Sequence, residues 1–147
     1  MTSSSELYSD PPPSFFPKAR VAVVVALIDN RILLLQRVAS HPHGNLWCSP
    51  GGRIENHETE EDAALRELRE ETGLQGDPKD LEAMGIFFVR FPHGDFALHL
   101  YRIHINGIIQ IQNSEHQRYR LCSLEEAKTM PLQPGQLDCL LQAMKSS

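Results

Sequence analysis

Residues 52–74 read GRIENHETEEDAALRELREETGL, and this segment is the most informative part of the sequence. It contains Glu67, Glu70 and Glu71, which lie three and four positions apart and therefore share one face of a helix. Like charges at that spacing destabilise a helix by about 0.2–0.5 kcal/mol per pair, so a cation between them would be favourable. Hard cations such as Mg2+ bind carboxylate oxygens and are commonly shared with substrate phosphates. The stretch therefore predicts a metal and phosphate site on a helix.

The ends of this helix are marked by local signals. Thr59, with Asp62 three residues later, resembles an acidic capping box, and Gly73 followed by Leu74 is typical of a C-terminal stop. We expect the helix to span residues 60–72, with an apolar flank against the core and the acidic flank in a cleft.

A solvated, salt-bridged helix face is the alternative explanation of the acidic pattern, and on composition alone it is the commoner one. The segment before the helix favours a site instead. Residues 46–52 read LWCSPGG, which predicts a short strand and a tight glycine turn that lead into the acidic helix. Glycines let the backbone approach an ion or a phosphate closely.

The same stretch resembles the signature of the Nudix hydrolases, G-x5-E-x7-R-E-U-x-E-E-x-G-U, in which U is aliphatic. Every specified position is met, by Gly52, Glu58, Arg66, Glu67, Leu68, Glu70, Glu71, Gly73 and Leu74. Flanking features extend the resemblance from Arg20 onward. The resemblance implies an α/β protein with the Nudix fold, an α/β/α sandwich in which helices cover a mixed β-sheet and one helix is catalytic.

By resemblance, the acidic helix holds Mg2+, for which Mn2+ can substitute. Cations must bracket the diphosphate because negative charge accumulates on its oxygens during hydrolysis. The metal ligands that the resemblance implies are Gly51 through its carbonyl, Glu67, Glu70, Glu71 and Glu115. Glu115 is the ligand expected from a loop before a late strand, and an exposed loop glutamate is an equally weighted alternative.

Three residues are predicted to act in catalysis: Glu67, Arg66 and Glu71. Glu67 is the first candidate for the general base, with Glu71 and Glu115 left open. Arg66 is expected to orient the glutamates through charge-assisted hydrogen bonds.

Three further residues are predicted to bind substrate: Arg37, His99 and Gln136. Arg37 ends a strand and offers a fork of donors to a phosphate, although a surface arginine is an even alternative. His99 shares its strand parity with Tyr101, which predicts a pair that faces the cleft near a base. Gln136 ends the segment PLQPGQ, and its amide can donate and accept hydrogen bonds to a base.

Length and composition indicate one compact domain. The chain has 147 residues, of which 41% are hydrophobic, and a formal net charge of −5. That charge argues against an extended nucleic-acid surface, which is normally basic, but a small nucleotide can bind with divalent ions. The three cysteines lack metal or redox spacing and are expected to be buried, reduced thiols.

The chain is predicted to divide into a flexible N-terminal arm, residues 1–18, and a single Nudix hydrolase domain, residues 19–147. The opening residues lack a charged and apolar leader, and the longest apolar run, 21–28, is too short to span a bilayer. We therefore expect a cytoplasmic protein with no membrane partner. Family members are often dimeric, so the resemblance allows a homodimer.

The remaining elements follow from hydrophobic runs and turn residues. Strands are predicted at 20–28, 31–36, 47–50, 83–91, 96–105, 108–112 and 119–122, with a hairpin turn at Asp29 and Asn30. Helices are predicted at 124–130 and from 134 to about 145.

The leading functional hypothesis is a Mg2+-dependent hydrolase of phosphoanhydride bonds in nucleoside diphosphate derivatives. The short chain, and the absence of subgroup marks for NADH, ADP-ribose or dinucleoside polyphosphate cleavage, favour a MutT-like nucleoside triphosphate pyrophosphohydrolase that releases a monophosphate and pyrophosphate. One alternative is hydrolysis of a nucleotide sugar, a dinucleoside polyphosphate or an RNA 5′ end. The other is a nucleotide-sensing module without turnover.

Overall fold

A mixed β-sheet with helices on both faces forms the body of the protein. The computed structural model describes residues 7–91, 94–112 and 114–145. The strands are β1 (Leu7–Tyr8), β2 (Pro17–Ile28), β3 (Arg31–Arg37), β4 (Trp47–Cys48), β5 (Gly51–Arg53), β6 (Leu81–Phe91), β7 (Gly94–His104) and β8 (His116–Cys122). The helices are α1 (Glu60–Thr72), α2 (Leu124–Ala127) and α3 (Gln136–Ala143), with a single 3-10 turn at Pro78–Asp80.

Strand order among the described residues is β1-β6-β7-β2-β3-β4, with β5 also paired to β2 and β8 also paired to β3. The long central strands β2 and β7 run parallel, and the other pairs are antiparallel. The hairpin between β2 and β3 turns at Asp29 and Asn30, which have φ angles of 51° and 63°. Two successive residues with positive φ are typical of the tight hairpin turn that the sequence predicts.

The sheet divides beyond this hairpin, and that division creates the cleft. β2 pairs with β3 only at Leu27 and Ile28, next to the turn. Farther from the turn, β2 pairs with β5 through Val21 to Val23, while β3 pairs with β4 and β8. The glycines of β5 are thereby held beside the middle of β2, next to α1.

Two apolar cores lie on opposite faces of the sheet. One lies under α1 and combines residues of β2, β3, α1 and β7: Ala22, Val24, Ala26, Leu33, Leu35, Ala63, Ala64, Leu68, Tyr101 and Ile103. The other lies under α3 and combines the alternate strand positions with that helix: Val25, Leu27, Ile32, Leu34, Leu98, Leu100, Cys139, Leu140 and Ala143. This alternation is what a strand buried on both faces requires. The predicted α/β sandwich is confirmed.

Residues 108–112 do not form the predicted strand. Their backbone instead satisfies the end of α1, because the Gln110 N–H donates to the Thr72 carbonyl at 2.9 Å and the Gln112 N–H to the Glu71 carbonyl at 3.3 Å. Ile109 and Ile111 pack against the core under α1. Their β-branched side chains produced a strand signal, whereas the open carbonyls at the end of the helix determine the backbone.

Other boundaries differ by a few residues. β5 was expected to be a turn, because glycines are depleted in strands, yet Gly51 and Gly52 pair with Val23 and Ala22. α3 begins at Gln136 and not at Pro134, since Gly135 precedes it with a φ of 84°. α2 ends at Ala127, three residues before the predicted end at Met130.

The N-terminal segment contacts the sheet from Leu7 onward. Leu7 and Tyr8 pair with Val89 and Phe88 of β6, and β2 already begins at Pro17. Residues 1–6 of the predicted arm lie outside the described residues, and the boundary at residue 18 stays a prediction. None of the helices in the described part of the chain is long and apolar enough to cross a membrane.

Candidate active site

Helix α1 positions the signature glutamates, and its ends form as predicted. The Thr59 hydroxyl accepts from the Asp62 N–H at 3.1 Å, and Gly73 adopts the left-handed conformation that ends the helix. Ala63, Ala64 and Leu68 are buried against the sheet. The opposite flank of α1 is left to the carboxylates.

The three glutamates differ in their burial. The Glu70 side chain is 51% exposed and that of Glu67 is 14% exposed, while the Glu71 residue is 2% exposed. The glutamates therefore reach from open solvent down to the base of the site.

Arg66 connects four acceptors in the site. Its guanidinium donates to Glu58 at 2.7 and 3.0 Å, to Glu67 Oε2 at 2.9 Å and to Glu70 Oε1 at 3.2 Å. It also donates to the Arg53 carbonyl at 3.0 Å. Its hydrogen bonds lower the pKa of Glu58 to about 2, and the carboxylates in turn raise the pKa of Arg66. Arg66 thus contacts Glu67 and Glu70, two of the glutamates that it is predicted to orient, and also holds Glu58.

Glu71 is buried next to another carboxylate. Its Oε1 accepts from the Gly51 N–H at 3.3 Å, and its carboxyl group shares a hydrogen bond with Glu67. Burial, followed by the hydrogen bond and charge of Glu67, raises the pKa of Glu71 well above its ordinary value. Two carboxylates so close together need a proton or a cation to neutralise them.

The two glycines of β5 are required by close contacts. A Cβ added at Gly52 would collide with the carboxylate of Glu67, and a Cβ added at Gly51 would meet the Ala22 carbonyl at 2.6 Å. The absence of side chains on these two glycines therefore lets β5 lie directly against Glu67.

The donor chemistry of the site suits a hard divalent cation. Glu71 is buried next to Glu67 and the Gly51 backbone, and carboxylate and carbonyl oxygens are the ligands that Mg2+ prefers. Within residues 7–91, 94–112 and 114–145, however, no three His, Cys, Asp or Glu side chains already form a group that could hold a metal. Glu67 and Glu70 form salt bridges with Arg66 instead. The metal-ligand assignments stay predictions.

A polar cleft of about 930 Å³ lies in front of α1. Acidic and basic side chains line it together with the backbone of β5: Lys18, Arg37, His41, Gly51, Gly52, Arg53, Glu67, Glu70, Phe96, Gln112, Ser114 and Glu115. Arg37 Nη1 lies 3.7 Å from Glu115 Oε1, and the Glu115 side chain is 58% exposed. The structure thus brings Arg37, Glu67, Glu70, Gly51 and Glu115 together, with Glu71 buried beside them.

A second, mostly apolar cavity of about 200 Å³ opens beside the cleft, on the α3 face of the sheet. It is lined by side chains of β2, β6 and β7, by the first residue of β1 and by the loop into α3: Leu7, Val21, Val23, Arg37, His43, Cys48, Ser49, Gly51, Gly52, Val89, Phe91, Phe96, Leu98, Gln133, Pro134, Gly135, Gln136 and Cys139. Arg37, Gly51, Gly52 and Phe96 line both spaces. We call the two spaces the polar cleft and the apolar cavity.

Gln136 supplies an amide to the apolar cavity. Its Oε1 accepts from the Ser49 N–H at 2.9 Å, and its Nε2 donates to Ser49 Oγ at 2.8 Å. An amide has two donor hydrogens and two acceptor sites, so both ends keep capacity for a ligand. Gln133 Oε1 accepts from Arg37 Nε at 3.2 Å, which links the cavity wall to the arginine of the cleft.

His99 lies apart from this arrangement. It is on β7 opposite Ala22, on the α1 face of the sheet, where burial is the main cause that lowers its pKa and the charges of Glu60 and Arg20 have opposing effects. It is not among the described residues that line the polar cleft or the apolar cavity. The strand parity that His99 shares with Tyr101 is present, but that face is the one covered by α1.

Several residues that line the two spaces were not predicted from the sequence. Ser49 and Leu7 line the apolar cavity, and Lys18 and Arg53 line the polar cleft. Ser49 follows Cys48 within the LWCSPGG segment, next to the signature, and this position could have indicated that it lies near the site. Leu7 offered no signal, because only the pairing of β1 with β6 brings it to the cavity.

The comparisons with known proteins agree with this geometry. The model of the NUDIX domain family matches residues 18–142. The chain is 36% identical over 125 residues to a CTP pyrophosphohydrolase of Escherichia coli strain K12, which covers 82% of this chain and 88% of that protein. The chain therefore belongs to the Nudix family and is a Nudix hydrolase, which confirms the predicted family and enzyme class.

Solved structures show the same fold. The NUDIX domain of Shewanella oneidensis NrtR complexed with ADP ribose superposes with a TM-score of 0.75, at 25% identity, over 90% of each chain. The solution structure of the Escherichia coli ORF135 protein gives a TM-score of 0.68 at 31% identity, over 90% of this chain and 92% of that one.

Proposed function

We propose that this Nudix hydrolase is a Mg2+-dependent nucleoside triphosphate pyrophosphohydrolase that releases a nucleoside monophosphate and pyrophosphate. The observation that carries the proposal is the pair of adjoining spaces that share Arg37, Gly51, Gly52 and Phe96. One is polar and is lined by Glu67 and Glu70 of the signature, and the other is apolar with a few fixed polar groups. That division suits a substrate with a phosphate chain at one end and a nucleobase at the other.

The polar cleft supplies charges of both signs for the phosphate chain. Arg37, Lys18 and Arg53 line it, and the planar fork of an arginine matches the oxygens of a phosphate. Glu67, Glu70 and Glu71, with the Gly51 backbone, are the groups that would hold Mg2+, and Glu115 is the additional candidate. When bound, Mg2+ would neutralise the charge that develops on the phosphate oxygens.

Glu67 is the proposed general base. It lines the polar cleft, and the Arg66 guanidinium at 2.9 Å fixes its carboxylate. In the proposed reaction, a water oxygen attacks phosphorus, the bond from that phosphorus to the bridging oxygen breaks, and the bridging oxygen leaves with the electron pair. Glu67 accepts the proton of the water. Glu71 and Glu115 are the alternative bases. Glu71 is buried and Glu115 is exposed, and both properties favour Glu67 over them.

The apolar cavity is proposed to hold the base. At about 200 Å³ it is smaller than the roughly 300–1,000 Å³ of a typical ligand site, so it suits one part of a ligand. Phe91 and Phe96 contribute aromatic faces, with ring centroids 5.6 Å apart, and Gln136 contributes the amide. The Escherichia coli relative acts on CTP by its name, which makes CTP the first nucleotide to test.

A substrate panel with product identification tests the proposal. The wild-type chain is incubated with CTP and the other nucleoside triphosphates, with ADP-ribose, with a dinucleoside polyphosphate and with capped RNA, each in Mg2+ and in a chelator. We expect a triphosphate to be the best substrate, with the monophosphate and pyrophosphate as products. Cleavage confined to ADP-ribose or RNA ends would replace the proposed substrate class. Tight nucleotide binding without turnover would indicate a sensing module.

A further inference from the structure

The N-terminal segment forms part of the wall of the apolar cavity. Leu7 lines this cavity together with Val21, Val89 and Phe91, and it packs against the core under α3. Its backbone is held by β1, which pairs with β6 at Val89. We call residues 7–16 the N-terminal strap.

A salt bridge fastens the far end of the strap. Arg90 on β6 contacts Asp95 on β7 through Nε at 2.9 Å and through Nη2 at 3.2 Å. The same guanidinium donates to the carbonyls of Pro13 at 3.2 Å and Ser14 at 3.0 Å. Asp95 Oδ2 also accepts from the Phe16 N–H at 2.9 Å. This one ion pair therefore binds three backbone groups near the end of the strap, those of Pro13, Ser14 and Phe16.

Aromatic contacts support this attachment. The Phe15 ring meets the Phe88 ring edge-on, with centroids 5.4 Å apart, and the Arg90 guanidinium lies 5.7 Å from the Phe15 centroid. Ser14 has a φ of 59°, a conformation that is uncommon for residues other than glycine. Contacts from several sides therefore hold the strap in one course over β6.

We propose that the N-terminal strap is a specificity element of the active site, in which Leu7 closes the apolar cavity around the nucleobase and the Arg90–Asp95 ion pair positions Leu7. The inference rests on the proposed function, because it takes the apolar cavity as the base site. It adds a part of the wall that lies before residue 18 and outside the matched family region, which begins at residue 18.

The chemistry of the wall determines which ligands it favours. A leucine at this position removes water from one side of the base and limits the width of the cavity. Shortening the side chain would leave a gap that costs contacts with a small base and admits a wider one. Leu7 is thus expected to favour a single-ring base over a double-ring base. The phosphate contacts lie in the polar cleft and are not expected to change.

The first test uses Leu7→Ala, with Leu7→Met as the conservative variant and Leu141→Ala as the matched control. Leu141 is 39% exposed on α3 and belongs to neither space. For Leu7→Ala we expect KM for the best pyrimidine triphosphate to rise about tenfold, since small apolar changes in a pocket have effects of this order. The kcat should stay within about twofold, because no group at the reacting phosphorus is altered. Leu7→Met and Leu141→Ala should keep the wild-type KM.

The same measurements on a purine triphosphate show whether Leu7 affects the preference between purine and pyrimidine bases. We expect Leu7→Ala to shift the ratio of kcat/KM towards the purine, which a general loss of stability would not do. A rise in KM that is equal for purines and pyrimidines would contradict the size-selecting wall.

The second test examines the positioning role of the ion pair. Asp95→Asn keeps an acceptor for the Phe16 N–H but removes the charge that binds Arg90. We expect KM to rise in the same direction as in Leu7→Ala, and the double variant to be no worse than Leu7→Ala alone, because both changes act on one contact. Additive effects would show that the ion pair does not act through Leu7.

The outcomes separate the inference from the proposed function. If the wild-type chain hydrolyses nucleoside triphosphates and folded Leu7→Ala keeps the wild-type KM, the inference is overturned but the proposed function is not. A wild-type chain that hydrolyses no nucleoside triphosphate overturns the proposed function and this inference with it. Thermal unfolding of each variant verifies that it is folded, and if Leu7→Ala does not fold, Asp95→Asn with an unchanged KM overturns the inference.

Discussion

Arg66 organises the site at the scale of single residues. It lies among Glu58, Glu67 and Glu70, and its side chain is largely buried. The repulsion between the glutamates of α1 is therefore reduced in part by this arginine. Glu71 is buried beside the Glu67 carboxylate, and this pair needs a cation or a proton to neutralise it.

Replacement of Glu67 tests the proposed base. Glu67→Gln keeps the shape of the side chain and removes its ability to accept a proton. We expect kcat to fall by about 10²–10⁴-fold, the usual contribution of a positioned base, while the melting temperature stays near that of wild type. Glu61→Gln, at an exposed position of α1, is the control. Steady-state kinetics with Glu67→Gln at the wild-type rate would transfer the role of base to Glu71 or Glu115.

Replacement of Glu58 tests the partly buried ion pair with Arg66 through pH. The pKa of Glu58 is about 2 in the folded protein and 4.5 for an unperturbed carboxyl, so the unfolded chain binds more protons between these values. The stabilisation by Glu58 is complete above pH 4.5 and is lost as the pH falls towards 2. We expect Glu58→Gln to be less stable at neutral pH by about 2 kcal/mol and to lose less stability on acidification. Urea unfolding across this range measures both, and parallel curves for the two proteins would contradict the assignment.

The elements differ in how far their sequences determine them. The start of α1 at Glu60 and its end at Thr72 were predictable, because Thr59 and Gly73 act within the helix itself. Residues 108–112 were not, since their backbone is determined by the carbonyls of a helix distant in sequence. The same holds for β5, whose glycines form a strand because β2 and α1 enclose them. Local signals predict elements well where the partners of the backbone are local.

The contact between β5 and α1 has a direct test. Gly52→Ala places a methyl group where the Glu67 carboxylate lies, and the flexible glutamate must move. We expect kcat to fall by about 100-fold, because a displacement of roughly 1 Å in a catalytic group has effects of that size. Stability should change little. Thr59→Ala is the matched control, which should cost about 1 kcal/mol of stability through the lost cap and leave kcat near wild type. Full activity of Gly52→Ala would separate β5 from catalysis.

At the scale of the whole molecule, the division of the sheet produces one connected site with two chemistries. The signature predicted the acidic part, because its residues are contiguous in sequence. The apolar cavity combines Leu7, Ser49 and Gln136, which lie far apart in sequence and meet only through β1, the loop after β4 and the start of α3. Gln136 and Arg37 were predicted from their chemistry, whereas Leu7 required the pairing of β1 with β6. His99 shows what strand parity cannot predict. Parity places His99 and Tyr101 on the same face of β7, but it does not tell whether that face is open to a ligand or covered by a helix.

The most direct measurement of the central claim is the hydrolysis of the best nucleotide by wild type and by Glu70→Gln, each with Mg2+ and with a chelator, followed by phosphorus NMR of the products. We expect equal amounts of monophosphate and pyrophosphate from wild type in Mg2+. We also expect turnover to fall by orders of magnitude in the chelator and in a folded Glu70→Gln variant. Turnover by Glu70→Gln at the wild-type rate, or hydrolysis that is indifferent to divalent cations, would contradict the assignment of the glutamates of α1 as the catalytic site.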